Sequence, residues 1–352
     1  FTEDWVADCC HPTVAENVPE WAHGADLRYE GDRLTDVAAP NCASCYTAPG
    51  EMRNTVWDGV AKGHVLGPYP LPPLAGFKQT PRALIDEKEK SNKFRPISAN
   101  NLPVGEAVNE AIPNAPDPIC LTTHDRFQQL LRMKKSLLRP GGKLLLAKRD
   151  LRSAYRVHAV RPADWQLCGF QWDGQYFVDA RLSFGCRSSV DRFLTVSDAI
   201  EYVMRRWGVL CVHYIDDFCF VEEEADMASA IQKFEIVCAA FGIEIKVQKN
   251  EGPAARVEVL GVVYDAEAMT AAMPAKTLTE LRAGCATVVA KRHIPTKAAA
   301  SLVGVMSWAA ACIPHARTFV SALRHAENVA RKAGNANIKA TNRVVADARW
   351  WV

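Results

Sequence analysis

The chain has 352 residues, of which 49% are hydrophobic and 23% are charged, and its formal net charge is only +2. That balance is typical of a folded protein and excludes a largely disordered chain. No apolar run approaches the roughly 18 residues of a membrane span, and the residues after Phe1 form neither the basic nor the apolar part of a signal peptide. We therefore predict a protein of the cytoplasm, the nucleus or both, which is neither secreted nor inserted in a membrane.

Residues 1–56 are rich in Pro, Gly, Asp and Glu and show no sustained period, which predicts an irregular N-terminal extension. Most of the twelve cysteines lie inside apolar segments, as is typical of buried, reduced thiols. Cys9, Cys10, Cys42 and Cys45 are the exception, because a Cys-x-x-Cys pair with a second pair of thiols is a zinc-binding pattern. The first pair lacks the usual spacer, so a zinc site is only an alternative interpretation.

A hairpin and a helix are predicted next. Residues 83–85 favour a strand, residues 87–92 a charged turn and residues 93–98 a return strand. Apolar residues at helical spacing predict a helix over residues 124–138, which the Pro-Gly-Gly sequence after it ends. The strand that follows ends at Asp150.

The centre of the chain carries two adjacent carboxylates. Asp216 and Asp217 interrupt two β-type apolar runs, which predicts a strand, a tight turn and a second strand. Apolar stripes predict helices over residues 191–207 and 225–241, one on each side of this hairpin. The order of the elements predicts an α+β fold in which helices back an antiparallel sheet.

The last third of the chain is predicted to be a hairpin over residues 259–265 and then mostly helical and basic. Residues 276–343 contain eleven Lys or Arg and two acidic residues, and residues 132–161 contain ten Lys or Arg and one acidic residue. Two basic segments on either side of paired carboxylates favour a polyanionic ligand such as nucleic acid.

The sequence Tyr214-Ile215-Asp216-Asp217 within the central hairpin resembles motif C of reverse transcriptases. Counterparts of the other motifs of that family occur in the correct order along the chain. Residues 93–98 resemble the strand of the fingers that contacts the triphosphate, 148–155 motif A, 182–189 motif B, 241–249 motif D and 259–265 the primer-grip hairpin, motif E. Several short motifs in a fixed order are far more specific than any one of them.

The residues around these motifs resemble the reverse transcriptases of DIRS-like retrotransposons, which encode a tyrosine recombinase. Residues 150–176, 213–218 and 249–253 carry the resemblance, which begins near Gly59 and extends to the end of the chain. The first residue is not Met and the last residues are apolar. We therefore expect a fragment of a retroelement polyprotein that is contiguous with RNase H and recombinase regions.

The resemblance implies the right-hand polymerase fold, with fingers, a palm whose antiparallel sheet is backed by helices, and a helical thumb. The expected regions are the fingers at residues 57–146, the palm at 147–268, the thumb or connection at 269–343, and at 344–352 the start of a following region towards RNase H.

The implied activity is that of an RNA-directed DNA polymerase, which adds dNTPs to the 3′-OH of a DNA or RNA primer on an RNA template. Two Mg²⁺ ions, with Mn²⁺ as a substitute, would be bound by Asp150 and Asp216, with Asp217 in support and Leu151 adding its backbone carbonyl. Lys249 would protonate the departing pyrophosphate. Lys246 is its rival for that role, and a plain surface lysine is the alternative.

The resemblance assigns nucleotide-binding roles to five residues: Lys93, Arg95, Tyr155, Phe184 and Gly185. The two basic residues would pair with the triphosphate. Tyr155 would lie under the sugar and exclude a 2′-hydroxyl, which favours DNA as the product. The primer grip would be formed by Leu260 and Gly261.

Two alternatives remain. An RNA-dependent RNA polymerase shares the palm, but that class usually has Gly-Asp-Asp at motif C and must admit the 2′-hydroxyl. A catalytically inactive, domesticated palm would only bind nucleic acid. The joint presence of Asp150, Asp216, Asp217 and Arg95 argues against this second alternative, although an unexpressed copy can keep them by chance.

Overall fold

The computed structural model describes residues 12–86, 94–115, 119, 121–313 and 315–352. Within these ranges the α-helices are α1 Pro12–His23, α2 Ala43–Thr47, α3 Pro49–Ala61, α4 His124–Ser136, α5 Ser188–Arg206, α6 Glu224–Ala240, α7 Ala275–Lys291, α8 Thr296–Ala309, α9 Ser321–Lys332 and α10 Asn342–Trp350. The strands are β1 Val65–Tyr69, β2 Arg82–Asp86, β3 Phe94–Ser98, β4 Leu144–Asp150, β5 Gly169–Trp172, β6 Gln175–Asp179, β7 Cys211–Tyr214, β8 Asp217–Glu223, β9 Glu251–Ala254, β10 Arg256–Val259, β11 Val262–Asp265, β12 Thr270–Ala272, β13 His293–Pro295 and β14 Asn337–Lys339.

The strands form small antiparallel sheets. The sheet that carries the central hairpin has the order β7-β8-β4-β9, and β4 pairs with β9 in antiparallel register. Two further sheets have the orders β1-β6-β5 and β10-β11-β12, and both are antiparallel. The hairpin of β2 and β3 and the pair β13-β14 are two-stranded. Mixed helices and antiparallel sheets confirm the predicted α+β class.

The chain divides into two compact units, as far as their residues are described. The first consists of Phe1–Leu121, Asp150–Phe218 and Ile231–Gln248, and the second of Thr122–Arg149, Cys219–Ala230 and Lys249–Val352. Residues 122–146, expected within the fingers, and residues 147–149, expected within the palm, therefore belong to the second unit.

Each unit has an apolar core of its own. In the first, helices α2 and α3 pack on the sheet β1-β6-β5 through buried Cys45, Met52, Phe170 and Phe177. In the second, the helices α7 to α10 share a core that includes Cys285 and Met306, both 0% exposed. None of the described helices combines the length and the apolar character that a membrane crossing requires.

Most elements lie where the sequence predicts them. The predicted hairpin is confirmed by β2 and β3, whose register pairs Arg82 with Ser98. Its predicted turn, residues 87–92, lies outside the described ranges. Helices α4, α5 and α6 begin within three residues of the predicted positions. All nine cysteines in the described ranges have free thiols, and six of them are buried.

The prediction of an irregular segment over residues 1–56 is wrong for its described part. It contains α1 and α2, and its predicted boundary falls inside α3. Leu27, which is 2% exposed, donates its N–H to the Asp164 carboxylate at 2.8 Å, and the Ser188 hydroxyl donates to its carbonyl at 2.6 Å. Packing against distant segments orders this stretch, which has no strong local pattern of its own.

The predicted boundary between residues 343 and 344 is also wrong, because it falls inside α10. Val344, Val345 and Trp351 are buried in the same core as the helices before them. The residues expected to begin a new region therefore complete the helical core of the second unit.

Candidate active site

The two predicted carboxylate segments meet at the ends of their strands. Asp150 is the last residue of β4, and Ile215 and Asp216 form the turn between β7 and β8, so Asp217 begins β8. The N–H of Leu151 donates to the carbonyl oxygen of Asp216 at 3.0 Å. Asp150 is 3% exposed, whereas Asp216 and Asp217 are half-buried. The main chain at residue 150 and the turn at residue 216 are therefore neighbours.

Helix α5 supports the Ile215-Asp216 turn through a side-chain hydrogen bond. The hydroxyl of Ser197, which is 0% exposed, donates to the carbonyl oxygen of Ile215 at 2.8 Å. Ile215 has a φ of 55°, a conformation that β-branched residues rarely adopt. Such strain costs on the order of 1–3 kcal/mol, and it persists only where surrounding contacts impose it. Ser197 and Leu151 supply two such contacts.

A third segment runs beside the loop after Asp150. The N–H of Lys246 donates to the carbonyl oxygen of Asp150 at 2.8 Å, and the N–H of Arg152 donates to that of Glu244 at 2.7 Å. Lys246 is thus adjacent to Asp150 through its main chain, while Lys249 lies in the exposed 3-10 turn Val247–Lys249.

Tyr155 is packed between two aromatic rings. Its ring centroid lies 4.8 Å from that of Phe184 and 5.6 Å from that of Phe193, in edge-on geometry. Burial raises the pKa of Tyr155, and the negative charge of Asp216 raises it further. The predicted nucleotide-binding residues Tyr155 and Phe184 are therefore in contact, close to one of the carboxylates.

Phe184 and Gly185 form a turn that is fixed by the strand β3. The N–H of Ser98 donates to the carbonyl oxygen of Phe184 at 2.8 Å. Gly185 has a φ of +113°, and a Cβ atom there would lie 1.9 Å from the carbonyl oxygen of Ser98. Arg95 places its guanidinium 5.9 Å from the centroid of the Phe184 ring. Only glycine fits this close approach of two backbones.

Sequence reasoning missed Asn109, which clamps the same turn. Its side-chain amide donates to the carbonyl oxygen of Gly185 and accepts from the N–H of Arg187, both at 2.8 Å. Nothing in the local sequence marks this clamp, because Gly185 and Arg187 lie more than 70 positions away from Asn109.

A buried ion-pair network was also missed. The carboxylate of Asp179 contacts the Arg82 guanidinium at 3.1 Å and also binds Arg156. These side chains line a cavity of about 210 Å³ together with Arg95 and Phe184. Two predicted nucleotide-binding residues thus share one cavity with this network.

The predicted primer grip, Leu260 and Gly261, is the turn between β10 and β11 in the second unit. Both residues have positive φ, 50° and 73°, which is the pattern of a type I′ turn. A Cβ atom on Gly261 would lie 2.9 Å from Nε1 of Trp308. The Trp308 ring contacts His124 at 4.8 Å, and Nδ1 of His124 lies 2.8 Å from the Tyr264 hydroxyl.

Two of the predicted sites are only partly covered by the described residues. Lys93 and the cysteines Cys9 and Cys10 lie among the undescribed residues. Cys45, one of the four candidate zinc ligands, is buried, and its thiol donates to the carbonyl oxygen of Arg82 at 3.0 Å. Burial raises the pKa of this thiol to about 11, which disfavours the thiolate that binds zinc.

Across the described part of the chain, no three His, Cys, Asp or Glu side chains stand together as a ready-made metal site. The two candidate metals differ in the ligands that they require. A structural Zn²⁺ site needs a closed set of four ligands, whereas Mg²⁺ is usually bound by one or two carboxylates, with water and phosphate oxygens completing its shell. Two aspartates on adjoining segments would meet this smaller requirement of Mg²⁺.

Comparison with known proteins gives one family and one fold. The family model described as reverse transcriptase (RNA-dependent DNA polymerase) matches residues 86–264, which is just over half of the chain. No curated protein matches the chain.

Solved structures of foamy viral protease-reverse transcriptase are similar to this chain. The foamy viral protease-reverse transcriptase dRH in complex with double-stranded DNA has a TM-score of 0.66 and 16% identity, over 94% of this chain and 50% of that chain. The foamy viral protease-reverse transcriptase in complex with an RNA/DNA hybrid has a TM-score of 0.67 and 14% identity, over 100% of this chain and 44% of that chain. The chain thus spans about half the length of these structures, and identities this low establish the fold alone. With the family match over half of its length, the chain belongs to the reverse transcriptase (RNA-dependent DNA polymerase) family.

Proposed function

We propose that this chain is the polymerase part of a reverse transcriptase, which adds dNTPs to the 3′-OH of a DNA or RNA primer on an RNA template. The observation that carries the proposal is the 3.0 Å hydrogen bond between Leu151 N–H and the Asp216 carbonyl oxygen. It joins the end of β4 to the turn after β7 and so brings the two carboxylate-bearing segments together. Family membership supports the same activity.

Two Mg²⁺ ions fit this site, with Mn²⁺ as a substitute. Asp150 and Asp216 would hold them, with Asp217 and the Leu151 carbonyl in support. Bound in this way, the metals would stabilise the attacking and leaving oxygens of the transfer. The half-buried position of Asp216 and Asp217 leaves them accessible to a ligand.

Nucleotide selection would depend on the aromatic cluster. Tyr155 would lie under the sugar and exclude a 2′-hydroxyl, because Phe184 and Phe193 hold its ring on two sides. Arg95 would bind the triphosphate, with Lys93, and Gly185 would let the main chain approach the nucleotide. For proton transfer to pyrophosphate, Lys246 and Lys249 both remain candidates; the main chain of Lys246 is bonded to Asp150.

The regions of the polymerase follow the elements. The β2-β3 hairpin would belong to the fingers, the sheet β7-β8-β4-β9 to the palm and helices α7 to α10 to the thumb. Leu260 and Gly261 would form the primer grip, since their turn rests on the Trp308 ring.

Primer extension on poly(rA)/oligo(dT) tests the proposal. We expect Mg²⁺-dependent synthesis by the wild-type chain and its loss in Asp216→Asn, with binding of the primer-template kept. Asp173→Asn is the matched control, because Asp173 lies in another two-residue hairpin turn and, among the described residues, forms an ion pair only with exposed Arg53. Robust synthesis by Asp216→Asn would refute the metal assignment.

The same assay separates the alternatives. Incorporation of rNTPs as efficient as that of dNTPs would identify an RNA-dependent RNA polymerase. Tight primer-template binding without any synthesis by the wild-type chain would identify a domesticated palm that only binds nucleic acid.

The finer assignment to DIRS-like retrotransposons rests on residues 150–176, 213–218 and 249–253. It implies a polyprotein in which this chain is contiguous with RNase H and recombinase regions, working in the cytoplasm or nucleus. Sequencing of the flanking coding region tests it. An open reading frame that continues without a tyrosine recombinase would contradict the assignment.

A further inference from the structure

A basic pocket lies in the first unit beside the loop that follows Asp150. Its volume is about 430 Å³, and its ionisable lining consists of Lys62, His64, Arg152, Arg156, Arg181 and Glu244. Ser153, which also lines it, follows Asp150 by three residues, and three residues of chain reach at most about 11 Å. The pocket is therefore close to the carboxylate segment along the chain.

Positive charge in this pocket is only partly neutralised. Lys62 pairs with Asp58 and Arg152 with Glu244, but all four side chains are at least half exposed. Exposed pairs of this kind contribute little and open readily. Their cations therefore remain available to an anion that enters the pocket.

Arg156 and Arg181 lie deeper than these exposed pairs. Arg156 shares Asp179 with Arg82, so one carboxylate faces two guanidinium groups. Arg181 donates to the carbonyl oxygen of Val157 at 3.0 Å, and no carboxylate of the described residues lies within ion-pair distance of it. An arginine at a pocket wall without an acidic partner keeps donors for a ligand.

The electrostatic effects of these groups on one another agree with this picture. Burial lowers the pKa of Arg181, and the charge of Arg156 lowers it further. Burial also lowers the pKa of His64, which Arg156 and Arg181 lower again. The pocket is thus a region of positive potential, and a polyanion would relieve the repulsion within it.

We infer that this pocket binds the pyrophosphate released by the polymerase, with Arg181 and Arg156 donating to its oxygens and Lys62 and His64 at the entrance. Guanidinium groups match phosphate oxygens in geometry and stay charged. The cavity that contains Arg95 and Phe184 shares Lys62, His64, Ser153 and Arg156 with this pocket, so the two adjoin. The inference rests on the proposed function, and it assigns a separate place to the product.

Calorimetric titration of inorganic pyrophosphate into the whole chain tests the site directly. The titration is done with EDTA and without nucleic acid, so that the aspartates repel the anion and metal-mediated binding is absent. We expect binding by the wild-type chain, weakened about tenfold or more in Arg181→Gln, since one lost charge-assisted hydrogen bond is of that size. Lys62→Gln, at an exposed position, should weaken binding less.

Arg206→Gln is the matched control, because Arg206 is an exposed arginine in the last turn of α5. It should bind pyrophosphate like the wild type. Unchanged affinity in both Arg181→Gln and Lys62→Gln would overturn the inference.

Product inhibition of primer extension gives the second readout. In Arg181→Gln, the inhibition constant for pyrophosphate should rise about tenfold while KM for dTTP stays the same. An equal rise in both would place Arg181 in the nucleotide site and overturn the inference. Weaker primer-template binding with unchanged pyrophosphate affinity would identify the template strand as the occupant and overturn it too. Because calorimetry needs no catalysis, pyrophosphate binding by a chain that extends no primer would count against the proposed function alone.

Discussion

Two hairpin turns of this chain share the conformation of their first residue but differ in their surroundings. Ile215-Asp216 joins β7 to β8, and Leu260-Gly261 joins β10 to β11. Each turn begins with a non-glycine residue at positive φ, 55° for Ile215 and 50° for Leu260. Two-residue turns with positive φ match the twist of the strands they connect.

The difference between the turns lies in what surrounds them. The first carries carboxylates and is tied by hydrogen bonds to Leu151 and Ser197, whereas the second carries no ionisable group and rests on Trp308. The hydrogen bonds to Leu151 and Ser197 would fix the position of Asp216, whereas the Trp308 ring would fix the position of the Leu260-Gly261 main chain. The contacts of each turn are therefore the feature from which we predict its function.

The largest expected effect is that of Asp216→Asn on the first turn. We expect the rate of single-nucleotide incorporation to fall by at least about 10²-fold, because charge stabilisation at a reacting centre has this magnitude. The free energy of unfolding should change by less than about 0.5 kcal/mol, since the side chain is half-buried and at a turn. Rapid-quench kinetics and urea denaturation measure the two quantities. A large loss of stability with intact activity would show that Asp216 supports the fold and does not serve catalysis.

Gly261→Ala tests the second turn. It should lower the free energy of unfolding by about 2 kcal/mol, from a positive φ of 73° and from the contact with Trp308. Gly174→Ala is the matched control: its φ is 74°, it lies in a two-residue hairpin turn, and nothing lies within 4 Å of the added Cβ. That control should cost only about 1 kcal/mol. Equal costs would show that the Trp308 contact contributes nothing.

Ser197→Ala should weaken the support of the first turn. Loss of the hydroxyl leaves the Ile215 carbonyl without this donor, which costs about 1 kcal/mol of stability and should lower kcat several-fold. Ser136→Ala is the control, because the Ser136 hydroxyl donates to the Met133 carbonyl at an exposed site. Thermal unfolding and steady-state kinetics of both variants measure the difference. Wild-type kcat in Ser197→Ala would mean that the turn holds its shape without the hydrogen bond.

The smallest expected effect is a gain in stability. Leu260→Asn should raise the free energy of unfolding by about 0.5 kcal/mol, because Asn-Gly is the preferred sequence of a type I′ turn. Chemical denaturation measures this change. A clear loss of stability would mean that the half-buried Leu260 side chain contributes more through packing than its φ of 50° costs.

The sequence predicted the parts of the fold that have strong local patterns. Alternating apolar runs around Asp216 and the stripes of α4, α5 and α6 specify their elements within a few residues, because period and turn chemistry are local. The position of Asp150 at the end of β4 followed in the same way. That the segments of Asp150 and Asp216 adjoin could be predicted only from the family resemblance.

The remainder depends on contacts between distant residues. Asn109 clamps Gly185 from 76 positions away, and Asp179 binds Arg82 from 97 positions away. Residues 12–56 are ordered by packing against segments such as Asp164 and Ser188, so their Pro and Gly content predicted irregular structure wrongly. Long-range pairing leaves no periodic signal in a single sequence.

The most direct test of the shared metal site is cleavage of the main chain by Fe²⁺ bound in place of Mg²⁺. With ascorbate and peroxide, the bound iron generates radicals that cut nearby backbone, and mass spectrometry locates the cuts. We predict cuts near both residue 150 and residue 216, which excess Mg²⁺ and Asp216→Asn suppress together and Asp173→Asn leaves unchanged. Cuts near only one of the two segments, or cuts that persist in Asp216→Asn, would contradict a metal site formed by both.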